Sequence, residues 1–364
     1  MKLWIVLLAT FQIVNGLNYK ETFDSLVESI WSDFWYDDKS SWSSNNKCVD
    51  KFNYPVVWDQ AVAGRAITEH LDQDKIRSVV NNLKDYLNSD GWFSSSTAKD
   101  NDVYIDDNAQ VLWVLVDAYQ FIGDVECLNI ATKLMSNIKG QQIQGGGVRW
   151  NLNGDYVASI STSEAALAAV RLYQVNNDQS LIDFATSQMD WLFDNLQDPS
   201  DGLIYDGKVL STGNIDKGKL VYSVGTMVST LSYLSSLTGD SKYYYKALDL
   251  LNSALNPKGA FYNSDGTWNN PLKYSHLLFM GISDLITVYT ASNKVQSSQY
   301  QKFISEMEFQ ANHIFENLQI DTNNYVDNTK VFKDSGNYCN GKPVTGLMDN
   351  VSAAQIYYAM SRVA

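Results

Sequence analysis

The chain has 364 residues, 45% of them hydrophobic and 13% aromatic, with 10 Trp and 22 Tyr. That length suits a large single domain or two ordinary ones, and the apolar fraction allows a sizeable core. A formal net charge of -14 argues against nucleic acid and anionic membrane surfaces as partners, because like charges repel.

Residues 1–16 read as a secretory signal peptide. Lys2 supplies the positive start, an apolar run follows, and Val14-Asn15-Gly16 offers a small-residue cleavage site. The run is too short to span a bilayer. The C-terminal segment 357–364 lacks the spacer and apolar tail of a lipid-anchor signal. The expectation is a monomeric, secreted or extracellular protein, or one held in a cell wall without a membrane anchor, with residues 17–364 as a single domain.

The periodicity predicts an amphipathic helix over 19–36, with Phe23, Leu26, Ile30, Phe34 and Trp35 inward. Pro55 opens a second helix that runs to about His70, and 76–87 gives a third. The loop Ser89-Asp90-Gly91-Trp92-Phe93 then leads to two adjacent carboxylates, Asp106 and Asp107. They precede an apolar run of helical period: Val111, Leu112, Leu115, Val116 and Tyr119. The pair therefore belongs at a helix N-terminus, where free N–H groups and the helix dipole hold negative charge. Mutual repulsion pushes their proton affinities apart. An ionised carboxylate beside a protonated one is the equipment of a glycosidase, whereas the plainer reading is a helix cap with a second acid.

An internal repeat follows. Asp124, Asp178 and Asp240 each start a helix and are followed seven residues later by Ala131, Ala185 and Ala247. The intervals of 54 and 62 residues suit one helical hairpin per repeat. Partner helices are predicted at 161–173, 220–237 and 274–289, and the set is completed at 300–318 and 349–362. This is an all-α chain of about twelve helices, two per repeat, repeated about six times. Such a chain closes into an (α/α)6 barrel or extends as an open solenoid. Loops rich in glycine, aromatics and amides favour the barrel, because they resemble the walls of a cleft. These loops hold Trp92, Trp150, Tyr205 with Asp206, and Trp268; aromatic faces stack on sugar rings, and Asn and Asp bond hydroxyls.

Other chemistries fit less well. Asp100-Asn101-Asp102 with Asp106 resembles the start of a calcium loop but lacks its central Gly and closing Glu. His70, His276 and His313 make no metal-binding pair, so neither metal nor cofactor is expected. His276 starts a helix near the expected cleft and is a candidate substrate contact. The triple glycine lacks the Lys-Ser/Thr of a phosphate loop. Asn350-Val351-Ser352 is the one N-glycosylation pattern. Cys48, Cys127 and Cys339 suggest one disulfide and one buried thiol; Cys48 with Cys339 is the expected pair, since the first and last helices of a closed ring are neighbours.

Over residues 55–290 the chain resembles glycoside hydrolase family 76, the endo-α-1,6-mannanases of bacteria and fungi. The similarity lies in Tyr104-Ile105-Asp106-Asp107, Gly145-Gly146-Gly147-Val148-Arg149-Trp150, Ser163-Glu164-Ala165 with Ala169-Val170-Arg171-Leu172-Tyr173, Tyr205-Asp206-Gly207 and Val221-Tyr222-Ser223-Val224-Gly225, in consistent order. The resemblance implies an (α/α)6 barrel and retaining cleavage of α-1,6-linked mannose in a polysaccharide, α-mannan. It implies Asp106 as nucleophile and Asp107 as acid/base; the candidate substrate-binding residues are Tyr104, Trp150, Tyr205, Asp206, Tyr222, Trp92 and Asn108. The chain departs from the family pattern at Gln110, Ser163, Ser223 and Val224, residues expected to line the cleft. Two alternatives stay open: a cell-wall transglycosidase acting on mannose-containing anchor glycans, and a catalytically weak mannan-binding protein.

Overall fold

The helical hairpins turn on one repeated piece of chemistry. Leu71, Gly123, Asn177 and Gly239 each end a helix in the left-handed conformation, at φ between 56° and 72°. The next residue, Asp72, Asp124, Asp178 or Asp240, then caps the following helix by accepting from its first free N–H groups. Asp72 belongs to this series as well, one hairpin earlier than the sequence repeat shows.

A computed structural model describes residues 17–49, 51–293 and 298–364; the signal peptide expected at 1–16 lies outside the described residues. The helices are α1 (Tyr19–Phe34), α2 (Val57–His70), α3 (Gln73–Lys84), α4 (Ile105–Ile122), α5 (Val125–Lys139), α6 (Ser159–Asn176), α7 (Gln179–Leu196), α8 (Val221–Thr238), α9 (Ser241–Ala254), α10 (Leu272–Asn293), α11 (Ser298–Asn317), α12 (Thr329–Ser335) and α13 (Leu347–Ser361). Helices α2, α4, α6, α8, α10 and α13 pack side by side in that order, and α13 returns to α2. The ring is closed, and the remaining long helices cover it from outside. This is the (α/α)6 barrel. The one helix beyond the expected twelve, α12, has seven residues and none of them buried, so no apolar period announces it.

The two rings bury differently. Outer helices bury one stripe: α5 hides Cys127, Ala131, Leu134, Met135 and Ile138. Inner helices are enclosed on both sides, and α6 is buried at every position from Ser159 to Leu172. The inner ring is tightest where α8 meets α10. A Cβ on Gly225 would lie 2.0 Å from the Leu277 carbonyl oxygen, and one on Gly281 would lie 2.3 Å from that of Gly225. Only glycine permits this backbone contact. It also draws together the starts of α8 and α10, which carry groove residues.

Inner helices start at one end of the ring, after long connections, and the hairpin turns α2–α3, α4–α5, α6–α7 and α8–α9 lie at the other. The long connections hold strands of two or three residues. One three-stranded antiparallel sheet joins Tyr156–Ala158, Gly207–Val209 and Ile215–Asp216. Strands this short leave no alternating pattern to read in a sequence.

Two inner-helix asparagines brace the connections. Asn108 accepts from Phe93 N (2.8 Å) and donates to the carbonyls of Phe93 (2.9 Å) and Tyr104 (2.7 Å). Asn350 does the same for Tyr325 N (2.9 Å) and the Gly346 carbonyl (2.7 Å). Asn350 is fully buried, so the glycosylation pattern it begins is not presented by the folded chain. Cys48 and Cys339 form a disulfide with Cα atoms 5.6 Å apart, tying the connection before α2 to the one before α13. Cys127 is a buried free thiol.

Candidate active site

The N-termini of five of the six inner helices, all but α13, line a groove of about 480 Å³. Trp58, Asp106, Ile160 and Tyr222 line it from the second position of α2, α4, α6 and α8, and Tyr274 from the third position of α10. A ring of helices that start at one level points the same early position of each toward a common centre. Tyr222 and Tyr274 pack with ring centroids 5.0 Å apart, and Trp58 stacks on Tyr274 at 5.8 Å and 18°. Opposite them, Tyr104 and Trp150 pack at 5.1 Å. The groove thus has aromatic walls, suited to the apolar faces of sugar rings.

The floor is acidic. Asp106 and Asp107 occupy the first turn of α4, with Gln110 one turn further on and Glu164 of α6 behind it. Trp150 is held by backbone bonds on both sides: its carbonyl accepts from Ile105 N and its N–H donates to Tyr156 O, each 2.8 Å. Its indole Nε1 donates to Asp106 Oδ2 at 3.1 Å. The Asp107 N–H donates to Asp106 Oδ1 at 3.1 Å. On the wall, Tyr156 donates its hydroxyl to Asp206 Oδ2 at 2.6 Å.

These surroundings separate the two acids. Burial pushes Asp106 up to about 6, while the two backbone bonds and Trp150 pull against that rise. Asp107 is pushed well above the usual carboxylate range by burial first and then by Asp106, Asp59 and Asp102, with nothing opposing. Glu164 is raised strongly too, by burial and the neighbouring Asp106. Burial also raises Asp206, against the Tyr156 hydrogen bond. Both acids of the pair are raised, but donors hold Asp106 back and nothing holds Asp107 back.

Of the residues proposed from sequence, Asp106, Asp107, Tyr104, Trp150, Asp206 and Tyr222 are brought together here. Three others are placed elsewhere. Trp92 is buried within the α3–α4 connection. Asn108 is fully buried, and its amide is spent bracing Phe93. Tyr205 points the other way, bonding Asp198 and lying under Lys219 Nζ at 5.2 Å. Trp268 is likewise turned inward, donating to Glu306 at 3.2 Å. His276 is fully buried and does not line the groove; burial and Arg65 lower its pKa to about 3. Among the departures from the family pattern, only Gln110 reaches the groove; Ser163, Ser223 and Val224 are buried inside the ring. Sequence reasoning missed Trp58, Tyr156 and Tyr274. Trp58 and Tyr274 share the early-helix position of Asp106 and Tyr222, a signal readable once the helix starts are known. Tyr156 depends on the small sheet and left no signal.

A family model described as glycosyl hydrolase family 76 matches residues 18–359. The meiotically up-regulated gene 191 protein of Schizosaccharomyces pombe is 31% identical over 220 residues, 52% of this chain and 48% of that protein. The mannan endo-1,6-alpha-mannosidase DCW1 of Candida glabrata is 28% identical over 119 residues, 30% of this chain and 27% of its own length. The chain spans half or less of the length of these curated relatives. One solved structure is an inactive variant of the α-1,6-mannanase GH76A of Salegentibacter sp. HEL1_6, with two consecutive aspartates changed to asparagine, in complex with α-1,6-mannotriose. It superposes with a TM-score of 0.77 at 17% identity, covering 95% of this chain and 100% of that one. At that identity the likeness establishes the fold.

Proposed function

Because the chain belongs to glycosyl hydrolase family 76, we propose that it is an exported, retaining glycosidase that cleaves α-1,6-linked mannan. The observation that carries the reading is the unequal treatment of two adjacent acids. Asp106 receives an indole and two backbone donors, while Asp107 is surrounded by burial and other carboxylates. An acid that stays ionised suits a nucleophile, and one that keeps its proton suits a general acid.

In the first step an Asp106 oxygen attacks the anomeric carbon. The glycosidic C–O bond breaks, and Asp107 gives its proton to the leaving oxygen. A glycosyl ester on Asp106 results. In the second step Asp107, now a carboxylate, takes a proton from water, whose oxygen attacks the anomeric carbon and frees Asp106. Two inversions return the original configuration. Trp150 orients Asp106 and stabilises its charge in the free enzyme. The aromatic walls and the Tyr156–Asp206 pair hold the sugars. The substrate class is supported by the relatives named mannan endo-1,6-alpha-mannosidase and by the mannotriose complex of a protein with the same fold.

Export is supported by the signal-like sequence of residues 1–16, a Lys2 start followed by a short apolar run, and by the disulfide, a bond that persists in oxidising compartments. Among the described residues no helix is long and apolar enough to cross a membrane. Residues 17–364 act as one catalytic domain in this reading.

Incubation with linear α-1,6-mannan is expected to release oligosaccharides whose new reducing ends first appear as the α-anomer by NMR. First appearance of the β-anomer overturns retention, and absence of any release overturns the substrate.

A further inference from the structure

One group on the groove floor has an unspent hydrogen-bonding end. Gln110 lies four residues after Asp106 on α4, so both side chains share one face of the helix. Both line the groove. Gln110 Nε2 donates to Glu164 Oε1 at 2.9 Å. Glu164 is fully buried, and its other oxygen is buried without a partner. The buried carboxyl thus fixes the amide with its NH2 inward. The carbonyl end, left without a partner in the protein, then faces the groove.

We propose that Gln110 is a specificity-determining residue whose carbonyl accepts a hydrogen bond from the 2-hydroxyl of the sugar under attack, and that Glu164 is the residue that positions it. The proposal rests on the glycosidase reading above. Of the two ring neighbours of the attacked carbon, only the carbon at position 2 bears a hydroxyl; the other is the ring oxygen. A sugar seated with its anomeric carbon on Asp106 therefore offers that hydroxyl to the next polar group along the same helix face. A hydrogen bond there strengthens as the oxocarbenium-like transition state acidifies the hydroxyl. In mannose this hydroxyl is axial, so an acceptor at the groove floor also separates mannose from its equatorial epimer.

Glu164 Oε1 is the atom that takes the Nε2 hydrogen, which turns the amide carbonyl away from it. The charged and titratable groups facing it are Asp106 and Asp107 from α4, Arg65 from α2 and Tyr222 from α8. None of these competes for the amide in the structure.

The test compares α-1,6-mannotetraose with an analogue that is 2-deoxy at the cleaved residue. The wild type is expected to lose roughly 100-fold in kcat/KM on the analogue, the scale of one transition-state hydrogen bond. Gln110→Leu should lose about as much on the natural substrate and nothing further on the analogue. Glu164→Gln, which can pair with the amide in either orientation, should shrink the deoxy penalty while the melting temperature stays within a few degrees. That readout would not move if Glu164 were merely structural. A Gln110→Leu enzyme that keeps the full deoxy penalty overturns the proposal, as does one with wild-type activity. If the leucine variant does not fold, Gln110→Met serves in its place. A wild type without Asp106-dependent turnover would sink the parent reading instead. Calorimetric titration of wild type and Gln110→Leu with mannotetraose and its analogue would then still test Gln110: equal discrimination by both overturns it.

Discussion

The two ends of the barrel handle carboxylates in opposite ways. At the groove end, Asp106, Asp107, Glu164, Asp206 and Asp216 line one cavity with no Lys or Arg among its lining residues. At the other end, a cavity of about 300 Å³ gathers Arg65, Arg171 and Arg362 with Glu69, Asp117 and Asp284. There Arg65 meets Glu69 at 3.1 Å, Arg171 meets Asp117 at 3.0 Å, and Arg362 meets Asp284 at 2.7 Å. Charged residues of α2, α4, α6 and α10 and the C-cap Arg362 of α13 take part, and α8 adds Tyr233. The titration follows the partners. Although burial opposes it, Arg362 with Ser229 and Arg171 holds Asp284 below the usual carboxylate range, while Asp106, Asp107 and Glu164 stand above it. Glu69 is instructive, because burial raises it to about 7 even beside Arg65; one ion pair does not offset full desolvation. The back end pairs its carboxylates with arginines, and the groove end leaves its lining acids without an ion-pair partner.

The sharpest way to break this contrast is to neutralise one acid at each end. Asp106→Asn or Asp107→Asn should lower turnover of α-1,6-mannan by roughly 10⁴-fold or more, with the melting temperature unchanged or raised. Asp284→Ala should do the reverse. It leaves Arg362 without its buried partner and should cost about 3–5 kcal/mol in denaturant unfolding, with kcat of the folded fraction retained. Activity lost with Asp284 at full stability, or stability lost with the groove acids, would erase the distinction.

Burial and pairing also set the pH response. Asp59, Asp106 and Asp349 stand at about 6 and Glu69 at about 7 when folded. The native state therefore binds more protons than the unfolded chain between about pH 4 and 7, and stability falls as pH rises through that window. Asp284, lowered when folded, acts the other way: its contribution is lost as pH falls below the ordinary carboxylate value. Melting curves should peak in mild acid, and Asp106→Asn should flatten the limb above the peak. The smallest change expected is Trp150→Phe. It keeps an aromatic wall but removes the Nε1 donor, so the Asp106 proton affinity should rise. The acid limb of kcat/KM should move to higher pH, with a loss of about 10-fold at its optimum.

Much of this was legible in the residues. The Asp pair announced itself because an apolar helical run starts just after it, and cap aspartates 54 and 62 residues apart announced the hairpins. The loop aromatics were a weaker guide. Trp92, Trp150 and Trp268 look alike in sequence, yet only Trp150 faces the groove, because composition carries no information on which way a loop side chain turns. Asn108, next to the acids, looked like a ligand group and is a brace, since a buried amide serves the nearest unpaired backbone.

The sequence by itself determined helix periods, caps and the acid pair, all of which are local and written within a few residues of each other. Only the tertiary structure decided that the ring closes, that Trp58 and Tyr274 meet across it, and that Glu164 lies behind Gln110. Those relations join residues tens to hundreds of positions apart, and they exist because six inner helices must bury both their faces at once.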